Sequence, residues 1–153
     1  EKDFGKIDAA LGRHPIRRKD MTIVRNDSRA TEKRIKKVKN AVTNWRVLQR
    51  FDFVSLLSCR LETGRTHQIR VHLNSIGHPL VGDQQYGRTP KKMFSLVPNE
   101  FKKKISNFCR QALHAELLGF KHPYSGEWYE FVSDVPKDFL FLLNQIEKLK
   151  SNL

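Results

Sequence analysis

"RTHQIRVHLNSIG", residues 65–77, can be built in two ways. As a strand it sets His67, Ile69, Val71 and Leu73 on one face. As a helix it groups Ile69, Leu73 and Ile76, with His72 beside them. Three features favour the helix. A full strand-like run already precedes the segment, Thr66 can cap an N-terminus, and Gly77 followed by His78 and Pro79 can end it. In either geometry Arg70 lies off the Ile69/Leu73 face, so it can point toward a cleft while the apolar residues anchor the element.

Working outward, VTNWRVLQRF (42–51) and FVSLLSCRLET (53–63) are rich in β-branched and aromatic residues and read as a hairpin turned at Asp52. QALHAELLGFKHP (111–123) and EWYEFVSDVP (127–136) read as a second hairpin, turned by Tyr124, Ser125 and Gly126. PKDFLFLLNQIEKLK (136–150) is an amphipathic helix opened by Pro136, with Phe139, Leu142, Leu143 and Ile146 on one face. The sum is an α+β fold: a mixed, mainly antiparallel sheet with a short central helix and a C-terminal helix. Residues 1–153 form a single domain, in which the Lys-rich stretch 91–108 reads as an insertion or loop. Residues 29–39, mostly charged, read as a solvated stretch.

The chain carries a net charge of +13 over 153 residues, which calls for a polyanionic partner, most simply nucleic acid. No long apolar run and no basic amphipathic helix point to a membrane. The polar N-terminus shows no secretory signal, and Glu1 in place of Met points to a piece of a longer protein. Cys59 and Cys109 have no CxxC spacing and read as two idle thiols in a reducing cytoplasm. Within GRHPIRRKD (12–20), Arg13, His14, Arg17, Arg18 and Lys19 form a candidate phosphate-facing loop.

The polar run around the helix, LETGRTHQIRVHLNSIGHPLVGDQQYG (61–87), does not fit a metal site. His67 and His72 are five residues apart, about 140° around a helix, where zinc ligands on one helix need i,i+3 or i,i+4 spacing. Histidines that hydrogen-bond backbone or RNA are the better reading. No GxSxG elbow, GxxxxGK[ST] loop or GxGxxG loop is present. Thr63-Gly64-Arg65-Thr66, at a strand-to-helix junction, brings amide N–H groups and Arg65 together, an arrangement suited to an anion. Asp83 falls in a turn, where capping backbone N–H groups is its expected work.

The same run resembles the third sequence motif of the RluA-type RNA pseudouridine synthases. Flanking pieces agree in order: GRHP (12–15) with Arg17, Arg18, Lys19 and Met21, then AVTNWRVLQRF (41–51), then RQALHAELLGFKHPYSGEWYEF (110–131). The resemblance implies the fold of that catalytic domain and an isomerisation of uridine to pseudouridine in ribosomal or transfer RNA, without a cofactor. It implies that Arg70, in the QIR triplet, pairs with a nucleophilic aspartate and keeps it ionised. It implies that Leu113 lies near the uracil, and Arg65, His67 and Gln68 fall with them among the substrate-binding positions. The family's aspartate stands in an HRLDxxTSG-like motif, and none of the eight aspartates here has that context. Its tyrosine-bearing strand is also missing. The chain therefore reads as the C-terminal portion of a catalytic domain, inactive alone and prone to self-association through an uncovered sheet edge. The rival reading is a non-catalytic, basic RNA-binding module.

Overall fold

The computed structural model describes residues 2–24, 37–87, 95 and 97–150. The element order is β1 (Phe4–Asp8), β2 (Leu11–Arg13), β3 (Met21–Ile23), β4 (Val42–Arg50), β5 (Ser55–Leu61), α1 (Gln68–Ser75), α2 (Asn99–Ser106), β6 (Leu117–Lys121), β7 (Trp128–Val132) and α3 (Lys137–Lys150). The fold is α+β, and the pairings among these strands are antiparallel: β1-β4-β5 in one sheet, β2-β3 in a second, β6-β7 in a third. The β4–β5 hairpin turns at Asp52 as its sequence indicates, with a register shift between Val47 and Gln49. β2 and β3 bracket the GRHPIRRKD segment read as a loop, with Gly12 and Arg13 already in β2.

Two apolar clusters hold the described residues together. Leu11, Ala41, Val71 and Tyr86 form the first, with Met21 and Ile23 against it. Phe51, Phe101, Leu142 and Ile146 form the second, which α3 closes with the leucine and isoleucine positions of its expected face. Phe101 belongs to α2, so part of the 91–108 stretch is a packed helix and not a loop. Phe101, Lys104 and Ile105 recur at helical spacing, and Phe101 and Ile105 face α3. Residues 91–94 and 96 of that stretch, and residues 29–36 of the charged one, lie outside the described residues.

Helix α1 forms where expected and stops at Gly77, which adopts φ +85 and donates its amide to the Asn74 carbonyl. Two details of the sequence reading are corrected. The cap position is His67, not Thr66, and no side chain caps the helix. The inward face is Gln68, Val71 and His72 with Leu73, while Ile76 is exposed. An apolar pattern could not find this face because two of its members are polar.

Those two polar residues are the joint between helix and sheet. Gln68 Nε2 donates to the Val42 carbonyl at 2.9 Å and to Thr43 Oγ1 at 3.1 Å. Gln68 Oε1 accepts from Thr63 Oγ1 at 2.8 Å and from the Arg65 amide at 3.0 Å. With Thr43 Oγ1 already accepting, its proton goes to His72 Nδ1 at 2.9 Å, and His72 Nε2–H donates to the Ala9 carbonyl at 3.0 Å. The bonds run in one direction from Gln68 to the Ala9 carbonyl, so the network ties α1 to β4 and to the end of β1 in a single register.

Candidate active site

The N-terminal end of α1, the loop 81–87 and the β2–β3 turn meet around Arg70. The guanidinium donates Nε–H to Asp83 Oδ2 and an Nη2–H to Asp83 Oδ1, both at 2.7 Å, in a planar two-bond pair. A further Nη2–H reaches Gln85 Oε1 at 3.2 Å, and the Tyr86 ring lies below Arg70 Cζ, 4.8 Å from its centroid. Asp83 is only 5% exposed. Burial alone would push its carboxyl up; the hydrogen bonds from Arg70 and from the Tyr86 and Gln85 amides outweigh this and hold it below the usual range. The same bonds keep Arg70 charged. Asp83 therefore caps the turn as its sequence position indicates. It also gives Arg70 a carboxylate partner inside the chain, where the motif alone pointed to one from outside.

Tyr86 joins three elements. Its hydroxyl accepts from the Met21 amide at 2.8 Å and lies 2.9 Å from His67 Nδ1. One proton is shared across this contact, and the tautomer of neutral His67 sets which partner donates it. Burial and then the Arg70 charge depress the His67 pKa, which agrees with the neutral form. His67 holds a left-handed backbone, φ 56 and ψ 21, which costs a non-glycine residue about 1–2 kcal/mol. That conformation turns the ring back toward Tyr86 and swings the chain from β5 into α1. Gly64, in the Thr63–Thr66 junction, carries no such strain.

The β2–β3 turn connects to this cluster through one acid. Asp20, 8% exposed, accepts from Gln85 Nε2 at 2.7 Å through Oδ1 and pairs with Arg17 Nε at 3.0 Å through Oδ2. Arg13 Nη1 donates to the Arg18 carbonyl, and His14 Nδ1 accepts the Ile16 and Arg17 amides. Arg13, Arg17, Arg18 and Lys19 stay exposed on the turn that adjoins Gln85. The structure thus brings His67, Arg70 and the basic turn together.

Gln68, Arg65 and Leu113 lie around this cluster in different settings. Gln68 is 2% exposed with its amide fully used inside, so it is a strut between helix and sheet and cannot reach a substrate. The Arg65 amide is taken by Gln68, and its Nε donates to the Asn40 carbonyl. Leu113 is half-buried, and Ala112 beside it donates to the Val81 carbonyl and so ties that segment to the Asp83 loop. The residues that motif reading missed are Asp20, Gln85 and Tyr86. A lone acid among five basic residues, and an aromatic three residues beyond Asp83, were the available signals. Among the described residues no group of histidine, cysteine and acidic side chains is placed to hold a metal.

An α+β domain with antiparallel sheets and an arginine fixed beside an exposed basic turn presents a cationic surface suited to a polyanion. A model of the RNA pseudouridylate synthase family matches residues 1–75. The chain is 46% identical over 152 residues to ribosomal large subunit pseudouridine synthase D of Nitrosomonas europaea, covering 97% of this chain and 38% of that protein. It is 43% identical over 146 residues to an uncharacterised RNA pseudouridine synthase of Bacillus subtilis, covering 95% and 40%. The human RNA pseudouridylate synthase domain containing 1 superposes with a TM-score of 0.63 at 27% identity, over 89% of this chain and 50% of the other. The human domain containing 4 shares the fold, with a TM-score of 0.64 at 23% identity over 95% and 57%. The chain belongs to the RNA pseudouridine synthase family. It spans about two fifths of the length of the curated relatives it matches.

Proposed function

We propose that this chain is the Arg70-bearing part of an RNA pseudouridine synthase that isomerises uridine in structured RNA. Ribosomal RNA is the proposed substrate, after the name of the Nitrosomonas relative, with transfer RNA as the other candidate. The observation that carries the reading is Arg70 itself: a guanidinium fixed on a short helix, next to an exposed turn bearing Arg13, Arg17, Arg18 and Lys19. In the reaction the N1–C1′ bond of uridine breaks, a C5–C1′ bond forms, the C5 hydrogen leaves as a proton and N1 gains one. No oxidant and no cofactor is needed. Arg70 would hold an aspartate ionised in a pocket whose dryness would otherwise favour its neutral form. The flipped uridine would sit between that pair and the Leu113 segment, with the basic turn on the phosphates. Cytoplasmic work fits an RNA substrate and the free thiols of Cys59 and Cys109.

The test is tritium release from RNA labelled at uridine C5. The 153-residue chain alone should release none, because no aspartate in it has the nucleophile's context. A polypeptide joining this chain to an aspartate-bearing catalytic portion should release tritium, and Arg70→Ala should abolish release while RNA binding stays within a few-fold. A joined polypeptide that binds RNA yet releases nothing would establish the basic binding module instead.

A further inference from the structure

We propose that Asp83 and Gln85 are positioning residues for Arg70, holding one edge of its guanidinium so that Nη1 is the edge left for the anion of the reaction centre. The inference rests on the functional reading of Arg70 above and deepens it.

A guanidinium has five N–H groups in one plane. Asp83 takes the Nε hydrogen and one Nη2 hydrogen, and Gln85 Oε1 takes the other Nη2 hydrogen. Tyr86 covers one face. What remains is the opposite face and the two hydrogens of Nη1. Among the described residues none accepts from Nη1, and none of the side-chain nitrogens or oxygens buried away from solvent lacks a partner, so Nη1 faces outward.

The holders are themselves held. Asp83 Oδ1 accepts the Gln85 and Tyr86 amides. Its loop is pressed against the 108–112 segment: a Cβ at Gly82, which has φ +72, would collide with the Phe108 and Arg110 carbonyls. Gln85 has one possible amide orientation, because Nε2 must face Asp20 Oδ1 while Oε1 faces Arg70. Asp20 is in turn fixed by Arg17 on the basic turn. A second carboxylate approaching Arg70 therefore cannot use the Nε–Nη2 edge. It must meet Nη1, at a direction set by loop 81–87 and by the β2–β3 turn. Losing Gln85 would free an Nη2 hydrogen and let the pair slide, and losing Asp83 would release the guanidinium altogether.

The experiment compares Gln85→Ala, Asp83→Asn and wild type in the active joined polypeptide. The reads are kcat and KM for tritium release, the acid limb of the pH–rate profile, and the NMR signal of the Arg70 Nε–H. Both variants should lower kcat at least tenfold with KM within threefold. Both should move the acid limb to higher pH, because an Arg70 aimed loosely holds its aspartate ionised less well, and the Arg70 Nε–H should exchange faster in Asp83→Asn. Gln85→Ala removes only exposed and half-buried bonds and keeps the test open should Asp83→Asn fold poorly. A lowered kcat with an unmoved acid limb would show a merely structural role, and unchanged kinetics in an active Gln85→Ala would likewise overturn the inference. An inactive wild-type joined polypeptide, by contrast, would bring down the synthase reading and this inference with it.

Discussion

His72 Nδ1 lies 2.9 Å from Thr43 Oγ1, in a contact where neither residue has any exposed surface. The pair is the middle of the directional network that begins at Gln68 and ends at the Ala9 carbonyl. Gln68→Leu fills the space but leaves the Thr63 hydroxyl proton and the Arg65 amide without an acceptor. It should lower stability by about 3 kcal/mol, from buried groups left unpaired. Gln68→Glu should cost more, because a carboxylate oxygen would face the Val42 carbonyl. Urea midpoints at pH 7.5 measure both, and a Gln68→Leu chain as stable as wild type would refute the network's importance.

Acid should weaken the same joint. Burial depresses the His72 pKa, outweighing the Ala9 carbonyl and Asp8, and burial also leads the depression at His67. A lowered folded-state value means that the unfolded chain binds the proton more readily. The contribution is then complete above the unfolded value near 6.5 and is lost as pH falls from there through the folded-state values. Urea midpoints should drop between pH 7 and pH 5, and His72→Gln should start lower and show a shallower slope. Parallel slopes for the two chains would exclude His72 as the titrating group.

RNA binding through the β2–β3 turn should depend on salt. Replacing Arg17, Arg18 and Lys19 by Gln removes about three phosphate contacts. The slope of log K against log salt should fall by about 2, at roughly 0.7–0.9 per contact. Fluorescence anisotropy with a labelled RNA hairpin from 50 to 300 mM salt reads this directly. An unchanged slope would place the RNA elsewhere on the surface.

The β6–β7 hairpin carries Leu117, Leu118, Phe120, Trp128, Phe131 and Val132 on two faces, and every residue of both strands is exposed. Surface of this kind associates. The isolated chain should show concentration-dependent mass in sedimentation, and a Leu118→Glu, Phe131→Lys chain should be monomeric at the same concentration. A monomeric wild-type chain at 100 micromolar would contradict this.

Much of the fold was legible because local chemistry and final structure agree. The β4–β5 turn, the β6–β7 turn with Gly126 at φ +74, and the apolar face of α3 each follow from a handful of neighbouring residues. The inward face of α1 was not legible, since Gln68 and His72 are buried only because Val42, Thr43 and Ala9, distant in sequence, satisfy them. The strands β1 to β3 are short and take their stability from partners far along the chain, as Phe4 does opposite Arg46. Arg70 was visible from its motif. Its immediate partners were not, because a lone Asp20 and a Gln85 gain meaning only when the β2–β3 turn and loop 81–87 lie side by side.

Loop 81–87 has one foot in each apolar cluster: Val81 packs with Phe51, Phe101 and Ile146, and Tyr86 with Leu11, Ala41 and Val71. The clusters share no residue, and this short span joins them beside β4, whose flanking residues Ala41 and Phe51 lie one in each. When the α3 cluster breathes, the Val81 end moves first and Asp83 follows, while α1 is still locked to the sheet. Hydrogen exchange should then find two tiers of protection, with the Val71 amide in the slower one and the Tyr86 amide in the faster. The aim of Arg70 would be as durable as the weaker half of the molecule.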